Sequence, residues 1–478
     1  MLRTVIVALV LAMAGASHAQ DGGRLAAAAN AMGAANLNSV EYTGSGFMFG
    51  FGQAYEPGER WPRFVQRSYT AAINYQTPGM RLTTVRSQGE HPPRGGAQQA
   101  LAGEQRAVLV VSDKHAWQEG GAQAVPTPGA VADRLRQMWT TPHGVIKAAL
   151  ANAGRVDGST ITFSIAGRAI KASLNEQNLV DKVSFLSTAE VVGDYPVEIS
   201  YSDYADFGGV KFPRRIVQTD DGHPTLELTI SAVRPNAAVA LDVPANVQQA
   251  PPPAPLTVAV EKLADGVWYL STPNARSWLV EFNDHVVLVE GMTGEARSLA
   301  IKAEIAKLSN KPLRYVINTH AHYDHAGGLR TYVAQGTTIV THELNKPFYE
   351  KAWARPRTIA PDQLSKAPKP ALFETVGDKK VLTDGTQTLE LYHMKGTSHN
   401  VANMIVFMPR HGLVYWGDGY NPPAGNDARD PARTPEQAID LYRVITANNL
   451  DVKTLAPAHG AGPKPFDNLK KAIGLIAP

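Results

Sequence analysis

The segment NTHAHYDHAGG, residues 318–328, places His320, His322, Asp324 and His325 within six positions of a chain that has 14 histidines among 478 residues. Imidazole nitrogen and carboxylate oxygen are ligand atoms for zinc, which takes about four of them at roughly 2.0–2.2 Å. On a tight loop the spacing i, i+2, i+4, i+5 aims side chains to two sides of one point, so two neighbouring ions can share it. One cluster does not complete two sites. Three further candidates stand elsewhere: His399 in GTSHN, Asp418 in YWGDG and His459 in PAHG. Each follows an apolar segment and has a glycine within a few residues, which lets backbone approach a crowded centre without a side chain. The chain has no cysteine, so any metal must be held by nitrogen and oxygen. The same absence excludes a cysteine nucleophile and a lipid-modified N-terminal cysteine.

The elements that must position these residues are readable around them. RYVINT reads as a buried strand and AGGLRTYVAQ as the start of a helix, which sets the cluster at a strand's carboxyl end, where α/β sheets hold their sites. TLELYHM, GLVYW and KTLA read as the strands that precede His399, Asp418 and His459. VWYLST, SWLVEFNDHVVLVEG, TTIVTH and MIVFMP are further strands, and ARSLAIKAEIAKLS and TPEQAIDLYRVITANN are helical stretches. Strands alternating with helices imply a layered α/β architecture. The segment from Glu350 to Thr375, rich in lysine, arginine and proline, reads as an irregular insertion of the kind that forms lids or binding loops.

Further upstream the pattern differs. AVLVVSDKHAWQEG, STITFSIAG, VEISYSDYADFGGVKFPRRIVQ and LELTISAV alternate apolar and polar residues between Gly, Pro and Asp-Gly turns, as antiparallel strands do. GVIKAALANAG reads as a helix ending at Gly154. Tyr201, Tyr204 and Phe207 either pack within the sheet or line an apolar groove. The YSDYADFGGVKFP stretch resembles that of sheet-over-helix periplasmic lipoprotein carriers, without any catalytic motif. Between the two regions, four prolines in the five positions 251–255 favour an extended spacer. The expected division is therefore a mostly antiparallel β domain over 20–250, a linker over 251–256 and an α/β domain over 257–478.

The first residues, MLRTVIVALVLAMAGASHAQ, have Arg3, an apolar run from Val5 to Met13 and a small-residue end at Ala19. This is the layout of a secretory signal peptide over residues 1–19, and it implies a periplasmic or secreted protein. The run is short of the roughly 20 apolar residues a membrane span needs. No stable membrane insertion is therefore expected after signal removal. Net charge is +3, from 46 basic and 43 acidic residues, which gives no electrostatic case for nucleic acid and leaves a small molecule as the expected partner.

HAHYDH, GTSHN, GD and PAHG, in this order, resemble the metal-binding motifs of the metallo-β-lactamase superfamily over roughly residues 257–475. The resemblance implies an αββα sandwich and two metal ions. One ion is held by His320, His322 and His399, the other by Asp324, His325 and His459, with Asp418 bridging them. It implies zinc, two per chain, with iron or manganese as alternatives, and a hydrolase in which a metal-bridging hydroxide attacks the substrate while Asp324 carries a proton. An aspartate at the bridging position resembles the lactonases, hydroxyacylglutathione hydrolases and phosphodiesterases of the superfamily more than its β-lactamases. With export, the expected substrate is a small carboxylic ester or lactone, and the alternatives are a β-lactam, an alkyl sulfate or a phosphodiester. Tyr420 and Asn421, close behind Asp418, are expected to line the substrate pocket. Phe348 and Trp353 are candidates for an apolar wall, and Tyr323 is expected to point outward or pack locally. Two other classes compete: a mononuclear iron persulfide dioxygenase, which needs only three ligands, and a non-catalytic carrier of apolar molecules built on the upstream domain.

Overall fold

A computed structural model describes residues 23–96, 99–425 and 427–477. The expected signal peptide, residues 1–19, lies outside the described residues.

The upstream region forms one 13-stranded sheet in which every pairing is antiparallel. The chain enters this sheet in its middle, at Ser39–Phe49, and meanders outward to the edge at Val125–Pro126. Two helices, Val131–Trp139 and Pro142–Ala151, then carry it to the opposite edge at Arg155–Asp157. It meanders back until His223–Pro235 pairs with the first strand. Period-two alternation makes this possible: in Gly193–Asp206 the side chains of Tyr195, Val197, Ile199 and Tyr201 are buried while Pro196, Glu198, Ser200 and Ser202 are exposed. The buried face packs on Met138, Val145, Ile146 and Ala149 of the two helices. Fully buried aliphatic side chains of this kind contribute about 1.5–3 kcal/mol each. Tyr201 belongs to this packing, and its hydroxyl donates to the Thr140 carbonyl at 2.6 Å.

The second region has two sheets. In the first, Ala259–Ala264, Val267–Thr272, Ala275–Glu281 and Val286–Val289 run antiparallel, and Leu313–Ile317, Thr338–His342 and Phe373–Val376 continue it in parallel. The second holds Lys379–Thr383, Thr388–His393, Met404–Met408, Leu413–Trp416, Thr454–Leu455 and Lys464–Pro465. Trp278, Val289, Ile317 and Val340 of the first meet Leu391, Met404, Val406 and Tyr415 of the second in a dry core between them. Helices Glu436–Ala447 and Asp467–Ala472 cover the outer face of the second sheet through Leu441, Ile445 and Leu469. Helix Glu295–Leu308 covers the first sheet through Ile301 and Ile305. The result is an αββα sandwich. Its outer layer and the core of the upstream sheet form one continuous buried cluster.

The stretch from Glu350 to Thr375 is irregular only in its middle. Its start completes helix Asn345–Trp353, and its end enters strand Phe373–Val376. Between them it docks on the upstream sheet: Arg355 grips Asp221 with two bonds of 2.6 and 2.8 Å, Arg357 bonds Glu190 at 2.6 Å, and Thr358 bonds Asp194 at 2.6 Å. Among the described residues no helix is long and apolar enough to cross a membrane.

Candidate metal centre

The four sequence clusters arrive at one place because four strands of the sandwich end there. Leu313–Ile317 delivers His320, the turn beyond it presents His322, and the short helix Tyr323–Ala326 carries Asp324 and His325. The loop after Thr388–His393 brings His399, the end of Leu413–Trp416 brings Asp418, and the loop after Thr454–Leu455 brings His459. Glycine is required just before Asp418, because a Cβ at Gly417 would stand 2.5 Å from Thr319 Oγ1 and 2.8 Å from the His320 ring.

Two groups of candidate ligand atoms result, His320, His322, His399 and Asp418 in one and Asp324, His325, His459 and Asp418 in the other. Asp418 belongs to both. Within each group the atoms lie within 4.8 Å of one another. His320 Nε2 faces His399 Nε2 at 3.1 Å, and His325 Nε2 faces His459 Nε2 at 3.2 Å and Asp418 Oδ2 at 3.1 Å. Asp324 Oδ2 is 3.4 Å from His459 Nε2 and 3.5 Å from His325 Nε2. The first group is wholly buried, whereas Asp324 and His459 keep 30% and 18% of their side chains exposed, so the centre opens on that side.

The donor set fits a cation. His322 Nδ1 and Asp418 Oδ1 are buried without a hydrogen-bond partner, an arrangement that costs free energy unless something at the focus engages them. Opposed imidazole nitrogens can share one proton at most; a cation engages both. The outer nitrogens of four of the five histidines are already engaged, while His399 Nδ1 is buried without a partner. His325 Nδ1 lies 3.2 Å from Glu290 Oε2, His459 Nδ1 2.8 Å from the Asn274 carbonyl, and His322 Nε2 2.9 Å from the Ala54 carbonyl. His320 Nδ1 meets the Thr319 hydroxyl at 2.9 Å, which in turn donates to Glu290. Such outer bonds fix the tautomer and leave the inner lone pair free.

Electrostatics separates the two groups. Burial, reinforced by neighbouring imidazoles, holds His320 well below the ordinary imidazole range. Burial likewise pushes His322 down to about 4 and His399 to about 3, so all three are neutral near pH 7. Burial also opposes the charged form of His325, but the charges of Asp324 and Asp418 outweigh it and raise His325 well above that range. Asp324 and Asp418 are in turn held below the usual carboxylate range, because His325 and His459 overcome the effect of burial.

Of the expected substrate contacts, Tyr420 is corrected. It is 1% exposed, its ring stacks on Trp416, and its hydroxyl donates to the Ala428 carbonyl at 2.8 Å. It therefore belongs to the core under helix Glu436–Ala447. Gly419, at φ +118, turns the chain so that proximity to Asp418 in sequence does not become proximity to the centre. Asn421 is half-buried, with its side-chain oxygen unpartnered. Tyr323 packs away from the ligand atoms, edge-on to Phe51 at 5.3 Å. Trp353 stacks on Tyr349 at 4.8 Å, whereas Phe348 lines a cavity of about 190 Å3 with Gly58, Trp61, His223, His322 and Tyr323. That cavity lies between the two regions, and of the seven candidate ligands it reaches only His322.

Sequence reasoning did not single out Glu290. It is 0% exposed and accepts from Asn318 Nδ2 at 3.0 Å, from the Thr319 amide at 3.1 Å and from the Thr319 hydroxyl. An acid closing the apolar run VVLVE, just before a glycine, is the signal that could have found it. Nor was Gln53 singled out: its Nε2 donates to Asp324 Oδ1 at 3.0 Å from the upstream region.

Residues 273–459 match the family model described as metallo-beta-lactamase superfamily. One similar protein is a metallo-beta-lactamase type 2 of Elizabethkingia meningoseptica, 23% identical over 168 residues, which are 34% of this chain and 61% of that protein. The chain thus spans about three fifths of that relative's length. Among solved structures, a metallo-beta-lactamase from Pontibacter korlensis is 19% identical, with 46% of this chain and 98% of that one covered and a TM-score of 0.35. One from Erythrobacter litoralis is 20% identical, with 46% and 95% covered and a TM-score of 0.34.

Proposed function

We propose that this protein, whose residues 273–459 match the metallo-beta-lactamase superfamily model, is an exported dinuclear zinc hydrolase that cleaves a small carboxylic ester or lactone. The observation that carries the reading is the pair of four-residue groups sharing Asp418. His320, His322, His399 and Asp418 would hold one ion and Asp324, His325, His459 and Asp418 the other. Bound there, the ions would supply Lewis acidity and a water acidified from 15.7 to about 7.

The remaining work falls to the chain. The buried imidazoles of His320, His322 and His399 present neutral nitrogens without losing a proton first. Asp324 is the acid on the exposed side, and we assign it the transfer of a proton from the attacking water to the leaving oxygen. Gln53 fixes its Oδ1, so that the carboxylate does not rotate. The loops around the first group exclude solvent from one side, which directs a substrate to the side of Asp324 and His459. The aspartate at position 418 supports an ester or lactone over a β-lactam, by analogy with the branches of the superfamily that carry aspartate there. Asp418 and His459, beyond the three ligands a mononuclear iron oxygenase uses, favour hydrolysis over that reading.

The test is metal analysis joined to a substrate panel. Zinc-loaded protein is expected to hold two zinc per chain and to hydrolyse aryl esters or lactones faster than β-lactams, phosphodiesters or alkyl sulfates. Chelation should abolish the activity and zinc restore it. A single iron per chain with persulfide-dependent oxygen uptake would replace this reading.

A further inference from the structure

We infer that residues 50–55, a loop of the upstream sheet region, are a built-in part of the metal centre, with Gln53 and the Ala54 carbonyl acting as positioning groups for one ligand of each ion. This rests on the dinuclear reading above and adds a role for the upstream domain that the sandwich alone does not supply.

The loop leaves strand Ser39–Phe49 and passes between the two ligand-bearing turns of the sandwich. The Tyr323 amide donates to the Gly52 carbonyl at 3.1 Å, and the Val401 amide donates to the Tyr55 carbonyl at 2.9 Å. These backbone bonds tie it to the turn of His322 and to the turn of His399. Between them the Ala54 carbonyl accepts twice, from His322 Nε2 at 2.9 Å and from Asn400 Nδ2 at 3.0 Å. With Nε2 so engaged, Nδ1 is the nitrogen left for an ion, and it is the one buried without a partner. The outer contacts of His320, His325 and His459 all come from the sandwich, through Thr319, Glu290 and Asn274. Only His322 among these four takes its contact from the other domain.

Gln53 does for the second group what Ala54 does for the first. Its Nε2 donates to Asp324 Oδ1 at 3.0 Å, and the opposite amide orientation would set two acceptor oxygens against each other. Its own Oε1 is buried and unpartnered. The loop is held in this position from behind, since the Gly96 amide donates to the Gln53 carbonyl at 3.1 Å and the Gly95 amide to the Ser398 carbonyl at 3.0 Å. Space at its tip is exhausted. Gly52 has φ +76, and a Cβ there would stand 2.5 Å from the Tyr323 ring. A loop this constrained at both faces orients ligands; it does not merely cover them.

The assignment predicts a selective effect, because Gln53 touches a ligand of one group only. Outer-shell contacts of this kind are worth about 10–100-fold in metal affinity. In the full-length protein, Gln53→Met keeps the volume and removes the amide. It should weaken one of two zinc ions about 10–100-fold in competition with a chromophoric chelator, leave the other within about twofold, and alter one set of bands in the cobalt(II) absorption spectrum. Gln53→Ala should act in the same direction. Gly52→Ala, whose Cβ would push the whole loop off the Tyr323 ring, should weaken both ions. Unfolding of the metal-free Gln53 variants, followed by circular dichroism, should match the parent. If the parent binds two ions and both Gln53 variants bind them with unchanged affinities and spectra, the positioning role is overturned while the proposed function stands. If the parent fails to bind two ions, both fall.

Discussion

Glu290 shows how much of the centre is set one residue behind the ligands. It sits at φ +79, a conformation costly for a side chain with a Cβ, and holds it because four donors converge on its two oxygens. Through His325 Nδ1 and the Thr319–His320 relay it orients one imidazole of each group. Glu290→Gln is expected to lower zinc affinity by about 10–100-fold, read by chelator competition, with the loss larger for the ion bound by His325 because that contact is direct. Equal affinity in the variant would show that Glu290 only fills a buried polar slot. At this scale the sequence is informative where ligands crowd together. His320, His322, Asp324 and His325 are legible from spacing, and His399, Asp418 and His459 from their place after apolar strands. Glu290, Gln53 and Ala54 are not, because an acid, an amide and a carbonyl become distinctive only when a distant imidazole or carboxylate meets them. Tyr420 misleads because distance along the chain ignores the turn at Gly419.

The elements explain how loops from separate domains stay registered. The stretch between helix Asn345–Trp353 and strand Phe373–Val376 reads in the sequence as a lid or binding loop, and it is a clasp. Arg330 and Asp362, both buried, anchor it to the sandwich with bonds of 2.5 and 3.0 Å. Arg355, Arg357 and Thr358 then hold the upstream strands. The periodicity of strands and helices is readable over much of the sandwich. The clasp's partners lie 134 or more residues away, which no local pattern encodes. The Arg355–Asp221 pair is partly exposed, at 26% and 24%, so screening limits it to about 1 kcal/mol. A double-mutant cycle of Arg355→Ala and Asp221→Ala, followed by urea unfolding, should return a coupling of about that size. The single Arg355→Ala variant should also be cut faster by protease within residues 354–372. No coupling and no change in cleavage would mean the arginine is held only by packing.

At the scale of the molecule, the upstream sheet and the outer layer of the sandwich share one buried cluster, so a disturbance in the first is felt by the second. His143 is one point, away from the metal centre, where pH can enter. It is 0% exposed, its ring stacks on Phe212 with centroids 5.7 Å apart, its Nε2 lies 3.0 Å from the Met32 carbonyl, and its Nδ1 has no partner. Burial pushes its pKa down from 6.5 to about 4. The sign follows from which state binds the proton. Between these two values the unfolded chain takes up a proton that the folded chain refuses. Stability is therefore full above about pH 6.5 and declines as pH falls toward 4. Each tenfold difference in proton affinity between the folded and unfolded chain is about 1.4 kcal/mol, so the loss from this single group is about 2 kcal/mol at pH 5. His143→Gln retains a donor for the Met32 carbonyl but cannot titrate. It should be less stable than the parent at pH 7 and should lose about 2 kcal/mol less on going to pH 5, measured by urea unfolding at both values. Parallel pH slopes for the two proteins would remove His143 from this account and place the acid sensitivity of the fold elsewhere.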